Sequence, residues 1–331
     1  MTMGFISYNL SFYRAELARL DACAADEGAL YRARQLLKVL DDLADEGYTE
    51  LNDALEADCR GVSRLREYLR AHNAAPFPLS LQPSGAADVA YGSGEEELTG
   101  AIRALCADAA ASQAVCGDAF LARLRAFCEW IGYEEDTAYI FLLRDALLPY
   151  IYYLSRGRKR IYPWLLGRKA FGAMTGCASA DDGIRASIIA ALERGCADFG
   201  AFCGYALPDI RATLARYPEA AACLRSMLGG IREGRIVIVE SGCSGTFPML
   251  LMSLDERADL RMYTTYPYLT GVYGARIFTP RYEENRLFET LKSQDMYFSF
   301  SSLREGRFYV RRCTSADVEA RALAEVRAFL P

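Results

Sequence analysis

Glu240-Ser241-Gly242-Cys243-Ser244-Gly245-Thr246 places one carboxylate at the head of a run of small, hydrogen-bonding residues. It follows Ile236-Val237-Ile238-Val239, four β-branched residues that read as a strand buried on both faces, as in the middle of a parallel sheet. An apolar helix is expected to begin near Pro248, a residue tolerated in a first helical turn. Strand, small-residue loop and helix leave backbone N–H groups at a helix N-terminus, a ready site for an anion and most often a phosphate. Glu240 would then stand at the carboxyl end of the strand, where open α/β sheets keep their ligands. The plainer reading is an ordinary strand-to-helix turn.

The second stretch is Ser155-Arg156-Gly157-Arg158-Lys159-Arg160, with four cations in the five positions 156–160. Tyr150-Ile151-Tyr152-Tyr153-Leu154 before it is an aromatic and β-branched strand candidate, and a helix is expected over Ile161 to Arg168 after it. Such a field can hold a pyrophosphate or another polyanion. A charged surface turn is the even alternative.

At these two loops the chain resembles the type I phosphoribosyltransferase family. Ser155-Arg156-Gly157 looks like that family's pyrophosphate loop, with Arg158 where a second glycine is common. Glu240 to Thr246 looks like its ribose-phosphate loop, with Ser241 where the family has a second acid. The resemblance implies an α/β fold with a parallel-sheet core, to which the residue pattern adds a mainly helical N-terminal region. It implies Glu240 and Arg156 as the catalytic pair, Glu240 holding the ribose hydroxyls. Arg156, Arg158 and Lys159, with Ser155 and Gly157, would hold the pyrophosphate leaving group. Ser241, Gly242, Cys243, Ser244, Gly245 and Thr246 would hold the 5-phosphate. Tyr263, Tyr266 and Tyr268 would line an acceptor site, stacking on a flat heterocycle, although core packing accounts for tyrosines there equally well. The implied activity is transfer or cleavage at the anomeric carbon of a phosphorylated ribose or nucleotide. The resemblance leaves room for magnesium; no zinc and no dinucleotide are expected. A non-catalytic regulatory protein on the same fold is the alternative function.

The elements around these loops read as follows. Residues 1–75 are a helical N-terminal region, 76–97 a linker or flap rich in turn residues, and 98–331 the α/β domain. Arg60, Arg64, Arg66 and Arg70 are balanced by Glu56, Asp58 and Glu67, the pattern of a solvated helix face; an interaction module in this region is a third function class. Helices are expected from about Glu95 to Ala111, Gly117 to Ile131 and Asp136 to Pro149. Two more are expected from about Asp182 to Leu207 and Asp209 to Leu228. A strand over Leu260 to Tyr266 follows, then a helix over Arg281 to Lys292. A hairpin of Met296–Ser301 with Arg307–Arg311 and a last helix over Ser315 to Leu330 complete the reading.

Composition removes several other classes. A formal net charge of −5 gives no general attraction to nucleic acid or to anionic membrane. No apolar run is long enough to span a bilayer and no secretion signal is seen, so the cytoplasm is the default location. Oligomeric state is left open. Eleven cysteines without a C-x-x-C point to reduced, mostly buried thiols. His72 is the one histidine, which argues against zinc sites and most imidazole chemistry. Ser241-x-Cys243-x-Gly245 fits a nucleophile elbow, but no histidine follows Cys243 to serve as its base. There is no G-x-x-x-x-G-K-[ST], and no G-x-G-x-x-G follows a strand.

Overall fold

The structure, a computed structural model, describes residues 89–91, 96–112, 119–143, 145–177, 179–241, 245–263, 270–278, 298–304, 307–312 and 316–331. All of them belong to one compact unit formed by Pro83–Pro280 and Thr290–Pro331. The expected helices of residues 1–75 and of 281–292 lie outside the described residues.

Strand β1 (Val89–Tyr91), helix α1 (Glu96–Ala111) and helix α2 (Ala119–Ile131) lead into β2 (Thr137–Leu142). Then come α3 (Leu147–Ser155), β3 (Ile161–Trp164) and four consecutive helices: α4 (Arg168–Thr175), α5 (Asp182–Glu193), α6 (Phe199–Leu214) and α7 (Pro218–Gly229). The chain re-enters the sheet as β4 (Arg235–Glu240), then α8 (Thr246–Leu254), β5 (Ala258–Tyr263), α9 (Thr270–Tyr273), a 3-10 turn and β6 (Ile277–Phe278). Strands β7 (Phe298–Arg304) and β8 (Arg307–Arg312) and helix α10 (Ala316–Arg327) complete the described elements.

Five parallel strands form the main sheet in the order β3-β2-β4-β5-β6, and β1-β8-β7 make a small antiparallel sheet. The protein is therefore α/β with an all-parallel five-stranded sheet. From β2 the chain steps outward to β3, then returns past β2 to β4 and continues the other way. The order reverses between β2 and β4, which makes their carboxyl ends the switch point of a doubly wound sheet.

The central strands are covered on both faces. Every residue of β2 is buried, as are Ile236 to Glu240 of β4. On one face Phe141 packs on Tyr150 and Tyr153 of α3, with ring centroids 5.6 and 5.2 Å apart. On the other, α8 packs against β4 and β5 and against helices α5, α6 and α7. Helix α10 pairs with α1 and also touches α3.

One region departs from the sequence expectation. Thr137–Leu142 is a strand inside the stretch expected as a helix from Asp136 to Pro149, Tyr150–Leu154 is helix, and Ile161–Trp164 is strand. A strand buried on both faces has no polar face, so its run of apolar residues carries no period that separates it from a buried helix. Pro149 fits the third position of α3, where no intrahelical N–H is needed. The stretch from Asp182 to Leu228, expected as two helices, forms three, α5 to α7, the middle one running through Pro208.

At the amino end of the sheet, Arg257 in the α8–β5 turn holds the entry into β4. Its Nη1 donates to the carbonyls of Ile231 and Glu233, both at 2.9 Å, and its Nη2 to that of Leu228 at 3.1 Å. Asp255 pairs with the same guanidinium through Nη2 at 2.6 Å and Nε at 3.0 Å.

Candidate functional site

The two loops expected to share one ligand lie at opposite ends of the sheet. Residues 156–160 join the C-terminus of α3 to the start of β3, and Tyr139 of β2 pairs with Ile161. Glu240 is the last residue of β4, and Ser241 follows it. Ile161 is level with Val237, since both pair with Tyr139, so the start of β3 lies three residues, about 10 Å, below Glu240 along the strands and two strands away across the sheet. The expected pyrophosphate group of Ser155, Arg156, Gly157, Arg158 and Lys159 is therefore not brought to Glu240.

The local chemistry of 155–159 explains this. Gly157 has φ +66°, its N–H donates to the Leu154 carbonyl, and the Arg158 N–H donates to that of Tyr153. This is a Schellman stop: glycine in the left-handed region closes α3 and satisfies its last carbonyls. Cations collect there because the helix C-terminus is the negative end of its dipole. Arg156 stacks on the Tyr152 ring at 3.5 Å and Arg158 on that of Tyr133 at 4.5 Å. The Lys159 backbone N–H donates to the Tyr133 hydroxyl at 3.1 Å, and the Ser155 hydroxyl donates to the Tyr152 carbonyl at 3.2 Å.

The carboxyl end of the sheet is built differently. Three helices begin there, each directly after a strand: α3 after β2, α4 after β3 and α8 after β4. Their N-cap residues are Ala146, Gly167 and Gly245, none with a side-chain cap, and none of the three has an acid in its first turn. Of the other described helices, α2 likewise has no acid in its first turn, whereas four carry an acid at that end. Glu96 and Glu97 open α1, Asp182 opens α5, Glu219 opens α7, and Asp198 caps α6 by accepting from the Ala201 N–H at 2.8 Å. Acids stabilise helix N-termini, so omitting them at three neighbouring ends concentrates positive potential at one end of the sheet. Arg168 stands at the same end: its side chain is 64% exposed, and its Nε lies 3.3 Å from Oδ2 of the buried Asp181, which balances its charge.

The loops after β2 and β4 are tied across the switch point, where the Ser241 hydroxyl donates to the Asp145 carbonyl. Glu240 is buried at the end of β4, and Thr246 is buried in the first turn of α8. Gly245 has φ +66°, and a Cβ built on it would lie 3.4 Å from Met262 Sδ and 3.6 Å from the Tyr273 hydroxyl. Glycine is needed here for its backbone angle, the contacts of such a Cβ being ordinary van der Waals ones. Gly242, Cys243 and Ser244 lie outside the described residues, as do Tyr266 and Tyr268. Tyr263 is core: it is 2% exposed, stacked on Phe278 at 5.9 Å and edge-on to Phe127 at 5.6 Å. It is not available to stack on a bound base.

Magnesium in sites of this kind is held by one or two carboxylates together with substrate phosphates. Glu240 and Asp145 stand at this end in that number, and among the described residues no group of three or more His, Cys, Asp or Glu is placed to hold a metal ion by itself. A magnesium ion brought in on a phosphorylated ligand fits that donor set.

The thiols also differ from expectation. Of six described cysteines, all free, only Cys128 is buried. Burial pushes the Cys106 and Cys203 thiols up to about 11. Cys177 is shifted the other way, held below the usual thiol range by hydrogen bonds from Ser179, whose hydroxyl lies 3.6 Å from Sγ, and from Tyr217. At pH 7.5 iodoacetamide is expected to alkylate Cys177 first among these six, because thiolate is the reacting form. Peptide mapping over a time course measures this, and Ser179→Ala should slow Cys177 towards the rate of Cys223.

No helix among the described residues is long and apolar enough to cross a membrane. Comparison with protein-family models, with characterised proteins and with solved structures finds no match to the chain.

Proposed function

We propose that this protein binds a phosphorylated ribose or nucleotide at the carboxyl end of its parallel sheet, on a phosphoribosyltransferase-like core. The observation that carries the reading is the set of three strand-following helix N-termini without an acid or a side-chain cap, gathered around the switch point. In this reading Glu240 accepts hydrogen bonds from ribose hydroxyls, and the backbone of Gly245 and Thr246 takes the 5-phosphate. Arg168 and the N-terminus of α3 face a second phosphate group. Arg156, Arg158 and Lys159 have no part in the site. Transfer at the anomeric carbon is the reaction such a constellation supports, with leaving-group charge stabilised by donors fixed in place before the reaction.

The alternative, binding without turnover, is favoured by one feature. Ser241 stands where the family has its second acid, and its hydroxyl is engaged with the Asp145 carbonyl.

A thermal-shift titration with phosphoribosyl pyrophosphate, with and without magnesium, tests the binding. Ligand at about a hundred times its Kd adds roughly 2.7 kcal/mol to the folded state. The shift is expected in wild type and in a triple variant carrying Arg156→Ala, Arg158→Ala and Lys159→Ala, and is expected to vanish in Glu240→Ala. Loss of the shift in the triple variant would overturn the assignment to the carboxyl end. Pyrophosphate release over a panel of bases separates turnover from binding alone.

A further inference from the structure

Between α1, the last turn of α3 and the end of α10 there is a groove of about 410 Å³, within the range of small-molecule sites. Its walls include Arg103 and Cys106 from α1, Leu154 and Ser155 from α3, and Arg327 and Leu330 from the end of the chain. No Asp or Glu lines it among the described residues; Pro331, which carries the terminal carboxyl group, does. Arg327 Nη1 donates to the Ala110 carbonyl at 2.7 Å, which holds that guanidinium at the groove wall with its remaining N–H groups to spare. Arg103 has no ion-pair partner among the described residues. It sits in the middle of α1, so the helix dipole that accounts for cations at the end of α3 does not account for it.

These observations narrow the occupant. A fully polar ion such as inorganic phosphate would leave Leu154 and Leu330 facing water. A neutral apolar molecule would leave at least one of the two guanidinium groups unmatched, since a single carboxyl group, that of Pro331, lines the groove with them. We propose that this groove binds a small organic anion, a carboxylate, sulfonate or phosphate group joined to a compact apolar body. The anionic group lies between Arg103 and Arg327, where planar guanidinium forks match its oxygens, and the body lies against Leu154 and Leu330. The groove is at the far end of α3 from the switch point, so it is separate from the nucleotide site proposed above and does not depend on it.

The probe is 8-anilinonaphthalene-1-sulfonate, a sulfonate on an apolar ring system, titrated into the full chain with fluorescence as the readout. Saturable one-to-one binding is expected, weakened about tenfold by Arg103→Ala and further by Arg103→Glu, and weakened by raised salt because the cations are exposed. Arg103 and Ala110 are exposed, so both variants should melt as wild type does. Ala110→Phe, which fills the groove without removing charge, is expected to abolish binding. Neutral N-phenyl-1-naphthylamine should bind Arg103→Ala no more weakly than wild type. Bound sulfonate should also slow N-ethylmaleimide labelling of Cys106 at pH 8.5, followed by peptide mapping. Absence of saturable binding, equal affinity in wild type and Arg103→Glu, or unchanged Cys106 labelling at saturation would each overturn the proposal. Glu240→Ala should leave all these readouts unchanged, so the two sites can fail independently.

Discussion

Arg257→Ala is expected to lower the stability of the folded unit by about 3 kcal/mol, and the melting midpoint by on the order of 6–10 °C. The estimate comes from the acceptors left behind. The carbonyls of Leu228, Ile231 and Glu233 lie at the end of α7 and in the turn into β4, and all three accept from this one guanidinium. The Leu228 carbonyl keeps the Ile231 N–H at 3.0 Å, so the groups left behind are the carbonyls of Ile231 and Glu233 and the Asp255 carboxylate, each costing about 1 kcal/mol in a half-buried setting. Lysine keeps the charge but loses the planar fork, so Arg257→Lys should recover only a minor part. The effect carries a pH signature. Hydrogen bonds from Arg257 hold the Asp255 carboxyl below its ordinary value of 3.8. A depressed carboxyl contributes stability that is fully present above the ordinary value and is lost as pH falls through the folded one. Wild type should therefore lose stability below about pH 4 through this pair, and Arg257→Ala should lack that part of the acid limb. Urea unfolding at pH 7 and pH 3 measures both. A loss under about 1 kcal/mol at pH 7 would mean that water replaces the arginine at little cost.

Gly245→Val is expected to destabilise the fold by about 2 kcal/mol and to remove phosphoribosyl pyrophosphate binding altogether. The first effect is local: φ of +66° is costly for an L-residue and more so for a β-branched one, and the added methyls extend towards Met262 and Tyr273 from a Cβ already in contact with both. The second follows from position. Gly245 is the N-cap of α8, so any shift in its backbone re-aims the first N–H groups of that helix. Denaturant unfolding and the ligand titration separate the two. Valine that destabilised the fold yet left the ligand-induced shift intact would show that the β4–α8 loop does not hold the phosphate.

The strand and helix around this loop were legible in the sequence. Ile236 to Val239 are β-branched without interruption, small residues follow, and Pro248 suits a first helical turn; β4 and α8 form there. The hairpin of β7 and β8 and the final helix were legible for similar reasons, since turn residues and apolar periodicity are local signals. Residues 137–164 were not. Thr137–Leu142 has no polar face to reveal its period, and Tyr150–Leu154 has strand-like residues that packing against Phe141 and Tyr139 holds in a helix. Misassigning that pair of elements moved Arg156 to Lys159 from the amino to the carboxyl end of the sheet.

Ser155-Arg156-Gly157-Arg158 shows the limit most clearly. The same residues serve as an anion loop after a strand or as a Schellman stop after a helix, because glycine and arginine suit both. Composition and local pattern by themselves determined an α/β chain with a buried central strand and a small-residue loop at its end. Which loops share an end of the sheet depends on the direction in which each strand enters it. That direction was decided by pairings between residues about a hundred positions apart, such as Thr137 with Arg235 and Phe141 with Val239. No local pattern carries that information, because a buried strand reads alike from either end.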